Sequence, residues 1–150
     1  MEVFLQLEAI LESPLTFPTL ECFHIAGLAV GIGTIAIVDF RLLGLGLRDQ
    51  KISTLAANLT PLTLLGLCVT FLSAGGLFYS DPDLYYLNHS FQLKMVLLLG
   101  ALMFQFMVRQ PRALDDPPEG SARWVGAVSL LLWASIVFCG IFIGFTVVPE

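Results

Sequence analysis

An all-α integral membrane protein, a four-helix up-down bundle with a short amphipathic interfacial helix at its N-terminus, is the fold class this sequence predicts. Three observations predict it. The 150 residues are 57% hydrophobic and only 13% charged, with a mean hydropathy of +0.86, whereas about a quarter of an ordinary soluble chain is charged. Four apolar runs, at about residues 18–44, 61–79, 89–109 and 122–147, match the roughly 20 residues needed to cross a hydrocarbon core of about 30 Å. None of the four has the polar face that a helix of a soluble bundle presents to water. The length allows one transmembrane domain, residues 1–150.

The elements follow in order. The opening MEVFLQLEAILES carries three glutamates and no base, unlike the positively charged start of a cleavable signal peptide. Phe4, Leu7 and Leu11 share one helical face, Val3 and Ile10 flank it, and Glu8 and Glu12 face away. That pattern predicts a helix over residues 2–13 lying on the membrane surface, ended by Ser13-Pro14. Thr60-Pro61 reads as an N-cap with proline in the first turn of the second span, where its missing N–H costs nothing. Ser80-Asp81-Pro82-Asp83 is turn chemistry, and Pro111 with residues 115–120 predicts a non-helical loop before the fourth span. Short loops between the spans make antiparallel neighbours the simplest arrangement.

Charge predicts orientation. Six of the seven bases (Arg41, Arg48, Lys51, Arg109, Arg112 and Arg123) lie at or beside the 45–60 and 110–121 loops. The opposite side carries Glu2, Glu8, Glu12, Glu21, Asp81, Asp83 and Glu150, and no loop base. Because lysine and arginine stay cytoplasmic, both termini are expected outside, which in a bacterial inner membrane is the periplasm. With a pI near 4.8 and no basic patch, nucleic-acid binding is excluded.

The seventh base, Lys94, begins about five residues into the third span, roughly 8 Å below its outer end. His24 falls at a similar depth in the first span, Glu21 precedes it on the same face, and His89 stands at the outer mouth of the third. Ionisable residues inside a membrane mark functional sites by default, although a lysine there can snorkel to the interface and a histidine can simply bond a neighbouring helix. Gly27 and Gly31 continue the face of His24, with Thr34 a turn further. Two readings of that smooth stripe stay open: close approach of another helix or of a second copy of the chain, or room for a flat cofactor beside a histidine ligand. Ser73-Ala74-Gly75-Gly76, Gly140 and Gly144 thin two further helices at the same depth.

Other chemistry is weaker. Cys22 and His24 point about 200° apart on a helix and cannot chelate one ion. Cys22, Cys68 and Cys139 are spread over different depths, as small buried hydrophobes, with a Cys22–Cys139 disulfide allowed by compartment alone. Asp39 and Arg41 fall near the inner interface and read as helix-locking groups, with Arg109 as a partner for Asp39.

His24 with its downstream glycines, Asp39-Phe40-Arg41-Leu42-Leu43-Gly44, Gly75-Gly76, Asp81-Pro82 and Asn88-x-x-Phe91-x-x-Lys94 together resemble an uncharacterised family of small bacterial four-helix membrane proteins. More distantly, the early histidine and lysine are similar to those of the copper-resistance D membrane domain and of the bacterial four-helix membrane protoporphyrinogen oxidase. That distant resemblance implies haem b, with His24 as axial ligand, Lys94 as partner to a propionate or substrate carboxylate, and the sixth position open or taken by His89 or another subunit. The expected function is therefore a haem b-binding redox protein or a porphyrin-related oxidoreductase in the outer leaflet. Copper or small-solute transport, and a structural membrane subunit without cofactor, stand as alternatives.

Overall fold

A computed structural model describes residues 14–118 and 120–145, with the backbone alone at Leu84. The elements are α1 (Thr16–Leu43), α2 (Ile52–Ser80), the one-turn α3 (Pro82–Tyr86), α4 (His89–Leu114) and α5 (Arg123–Ile143). All but α3 are long and apolar enough to cross a membrane; even α5, with 21 residues, extends about 31 Å. No strand occurs among the described residues. The expected interfacial helix over 2–13 lies outside them.

Each boundary has a local cause. α1 stops at Gly44, whose φ of +81° is the left-handed region. Its N–H donates to Arg41 O at 3.0 Å and Leu45 N–H donates to Phe40 O at 2.8 Å, which satisfies the last carbonyls in a glycine-closed cap. α4 starts at Asn88, which is buried. Its Oδ1 accepts from Ser90 N–H at 2.9 Å, and its Nδ2 donates to Ile143 O at the far end of α5 at 3.1 Å. One side chain therefore caps the start of one helix and ties down the end of another.

Two boundaries differ from the sequence reading. α2 opens at Ile52, more than two turns before Pro61, so the proline stands inside the helix rather than in its first turn. The carbonyl left without its usual donor belongs to Ala57. Beside it, Thr60 Oγ1 donates to Ala56 O at 2.6 Å and accepts from Gln110 Nε2 at 2.7 Å. Neighbouring hydroxyls and helices are what make a proline tolerable in a membrane helix. α4 likewise runs on through Pro111 to Leu114. It does so after a π turn at Gln105–Arg109, in which Gln110 N–H donates to Gln105 O. The extra residue in that turn brings both Gln105 and Arg109 to the buried side.

α1 packs along α2, α4 packs along α5, and α1 also packs on α5; α2 packs closely on α4 only at the last turn of α4. Two apolar layers fill the bundle. One, toward the 44–51 and 115–122 loops, joins Val38, Leu42, Ile52, Leu55, Ala56, Ala113, Ala122 and Val125. The second, nearer the middle, joins Ile35, Leu67, Ala101, Trp133 and Ile136.

Candidate functional site

The seam between α1 and α2 places His24. A Cβ added at Gly27 would stand 2.7 Å from Thr70 Oγ1 and 2.8 Å from Thr70 N, and one at Gly66 would collide with the backbone of Gly31. The helices therefore touch backbone to backbone through Gly27, Gly31 and Gly66, and Thr34 Oγ1 bonds Thr63 Oγ1 at 2.8 Å one turn further in. Of the two uses left open for the Gly27–Gly31 stripe, the structure shows close approach of a helix from the same chain. Gly33, Gly75, Gly100 and Gly144 keep open space beside them.

That contact brings the ring of His24 onto α2. His24 Nδ1 lies 3.1 Å from Thr70 O and 3.4 Å from Ser73 Oγ. A carbonyl oxygen only accepts, so the bond to Thr70 O requires the proton on Nδ1 and leaves the lone pair of the neutral ring on Nε2. Ser73 already donates to its own helix, at Val69 O (2.7 Å), and receives the imidazole as an acceptor.

The charged groups acting on the ring are Lys94 first, then Glu21. Lys94 extends over α5. Its Nζ lies 3.2 Å from where a Cβ on Gly140 would be, next to Cys139. Lys94 forms no ion pair among the described residues. Glu21 is exposed on the first turns of α1. Tyr85 of α3 completes this end: burial, then the carboxylates of Asp81 and Glu21, push its phenol up from the ordinary tyrosine value. Its ring packs on Phe91 at 5.4 Å, and Phe91 stacks on Phe78 at 5.8 Å. Phe78–Phe91 and Thr60–Gln110 thus tie α2 to α4 near both ends, and between these ties the two helices do not pack closely.

A second polar cluster lies deeper. Arg109 Nε donates to Asp39 Oδ1 at 2.8 Å, Nη2 donates to Ile35 O at 2.8 Å, and Nη1 donates to Gln110 Oε1 at 3.1 Å. Both members of the ion pair are buried. A Cβ on Gly126 would stand 2.8 Å from Asp39 O, so α5 crosses α1 closely here and Ser129 stands beside the carboxylate without closing a hydrogen bond. Asp39 Oδ2, Gln105 Oε1 and Ser129 Oγ are all buried and find no hydrogen-bond partner among the described residues. The apolar layer of Ile35, Leu67, Ala101, Trp133 and Ile136 includes the turns next to this cluster.

The structure pairs Asp39 with Arg109 and seats His24 on α2, with Lys94 over α5 and Glu21 exposed at the start of α1. His89 is exposed on the first turn of α4. Among the described residues no three His, Cys, Asp or Glu side chains converge. Cys22, Cys68 and Cys139 are free thiols, and Cys22 and Cys68 are on the outer surface of the bundle rather than in its core. Thr70 and Ser73, the groups that orient His24, were visible only as hydroxyls in an apolar run. Gln105 and Ser129 gave the same faint signal.

A family model described as a family of unknown function (DUF6644) matches residues 16–146. No curated protein and no solved structure matches the chain, so nothing ties it to copper-resistance D proteins or to protoporphyrinogen oxidase.

Proposed function

The chain belongs to that family of unknown function, and we propose that it is a membrane-embedded haem b-binding redox protein whose site lies in the half of the bundle nearest its termini. The observation that carries this reading is the bond from His24 Nδ1 to Thr70 O at 3.1 Å. Metal-binding imidazoles are oriented through their second nitrogen in this way, and a proximal histidine is a common haem ligand. His24 would serve as an axial ligand through Nε2. Bound haem supplies one-electron chemistry; every other role belongs to the chain.

Lys94 acts on His24 from α4 and would offset a propionate carboxylate, which is costly so near hydrocarbon without a cation. Glu21 would stand at the mouth of the site, exposed on the first turns of α1. Gly27 and Gly31 are covered by α2 and offer a porphyrin no face, so the ligand would enter where α2 and α4 do not pack closely. The donor set holds one imidazole, and any further ligand would come from a small molecule or a second subunit. The proposal keeps both termini periplasmic in a bacterial inner membrane, from the six bases at or beside the 45–60 and 110–121 loops.

The test is colour. Protein purified from haem-replete cells should show a Soret band with stoichiometric haem. His24→Ala should lose the band while keeping its helical circular dichroism, and Lys94→Met should keep haem but shift its reduction potential. A colourless wild type sinks the reading. The reading next in line is then a structural subunit, favoured by the Gly27–Gly31–Gly66 seam, which holds the bundle together with no ligand at all. Transport is disfavoured by the apolar layer through Ile35, Leu67 and Trp133, which interrupts a polar path along the bundle.

A further inference from the structure

The junction of α1, α4 and α5 buries more hydrogen-bonding capacity than its own side chains satisfy. Asp39, Gln105, Arg109 and Ser129 are each no more than 2% exposed. The guanidinium of Arg109 is turned to Asp39 Oδ1, Ile35 O and Gln110 Oε1. That leaves Asp39 Oδ2, Gln105 Oε1 and Ser129 Oγ, one from each helix, with no hydrogen-bond partner among the described residues. A buried oxygen kept dry costs free energy, and hydrocarbon outside the bundle offers it nothing to bond.

Helix geometry brings the three oxygens to one level. Arg109 reaches both Asp39 and Ile35, so it spans one turn of α1. Gln105 stands one turn before Arg109, and the π turn holds both on the buried side of α4. On α5, Gly126 lies against Asp39 O, and Ser129 follows three residues later on the same face. Apolar layers close the junction along the bundle. Ile35, Ala101 and Trp133 lie on one side of it, and Val38, Leu42 and Val125 on the other.

The chemistry of the three oxygens selects the occupant. The carboxylate and the amide oxygen only accept, and the hydroxyl can donate. A cation here would stand beside the Arg109 guanidinium, and an anion beside the Asp39 carboxylate; either is repelled. A small neutral molecule that donates twice and accepts once matches the set. We propose that one water molecule is bound at this junction, donating to Asp39 Oδ2 and Gln105 Oε1 and accepting from Ser129 Oγ. Three hydrogen bonds is the usual number for a buried water. The water joins α1, α4 and α5 at one point and fixes the π turn, the kind of helix irregularity that accommodates an inserted group.

The test separates a hydrated junction from a dry one by the sign of a stability change. Thermal unfolding of the whole chain in phosphatidylcholine bilayers is compared for the wild type, Ser129→Ala, Gln105→Met and the double variant. With a bound water, each single substitution removes one of its hydrogen bonds. The unfolding temperature should then fall by roughly 2–4 °C, the shift that about one hydrogen bond makes in a chain of this size. The double variant should fall by less than the sum, because both residues hold the same molecule. In a dry junction each substitution replaces an unsatisfied oxygen by an apolar group, and the unfolding temperature stays or rises. Ser135→Ala, which removes an exposed hydroxyl bonded within α5, reports the effect of the serine-to-alanine exchange itself and should change little. Independently of any variant, water-selected solid-state NMR of the wild type should show magnetisation transfer to the Gln105 side-chain amide. Unfolding temperatures that stay or rise in both single variants, strictly additive losses, or no transfer to Gln105 would each overturn the proposal. So would a wild-type unfolding temperature that falls when sodium is exchanged for choline, since the occupant would then be a cation.

Discussion

Arg109 illustrates what one residue contributes when it is buried in a membrane bundle. Its guanidinium meets Asp39, Ile35 O and Gln110 at once, so it joins α1 to α4 below the middle of the bundle. The pair itself need not stabilise the fold, because removing two charges from water costs about as much as their attraction returns. Breaking it is another matter. Arg109→Leu should destabilise the protein by about 3–5 kcal/mol by leaving Asp39 charged and alone, while Asp39→Leu combined with Arg109→Leu should cost clearly less than either change singly. Equilibrium unfolding in detergent, read as a double-mutant cycle, measures this. Additive losses would mean that the pair is solvated. This partnership was legible in the sequence, since an acid late in the first span and a base late in the third fall at one depth. The orphaned oxygens of Gln105 and Ser129 were not, because their convergence depends on the π turn in α4 and on how α5 crosses α1 at Gly126.

At the scale of the element, the α1–α2 seam decides the site. Gly66 faces Gly31 backbone to backbone, and Gly75 has nothing within 4 Å. The two glycines are nine positions apart on the same helix, yet substitution should separate them sharply. Gly66→Ala should force α1 from α2 and cost about 1–3 kcal/mol by overpacking, and Gly75→Ala should be neutral or slightly stabilising, since alanine is the better helix former. Unfolding of the two variants in one detergent compares them directly. Equal stabilities would show that the seam relaxes at no cost. Gly66→Ala should also loosen the His24–Thr70 bond, because Thr70 lies one turn along the same face of α2. The ring's orientation is thus a property of helix packing as much as of the histidine itself.

For the whole molecule, the consequence to test is topology. The basic ends of the helices gather at the 44–51 and 115–122 connections, and α3 lies in the connection at the opposite end. In intact cells a cysteine placed at position 50 or 115 of a chain lacking its own three thiols should resist an impermeant maleimide, and one at position 83 should react. Reaction at 50 or 115 would reverse the orientation and move the His24 end to the cytoplasmic side. The three native cysteines have to be replaced first, because all are free and Cys22 and Cys68 are exposed on the bundle surface.

By itself the sequence determined the class, the number of spans, their order, and the shared depth of Asp39 with Arg109. These follow from hydropathy and from a rise of about 1.5 Å per residue, quantities that depend only on position along the chain. Only the tertiary structure decided which side of each helix meets which neighbour. Nothing in the spacing distinguished a glycine stripe that receives α2 from one that receives a cofactor, because either use needs the same missing side chains. It also decided where the prolines act. Pro61 and Pro111 looked like helix boundaries in a linear reading, but each stands within a helix, next to the Thr60–Gln110 bond between α2 and α4. A proline ends a helix only where no neighbour can bond the groups it leaves unpaired, and neighbours exist only once the chain has folded.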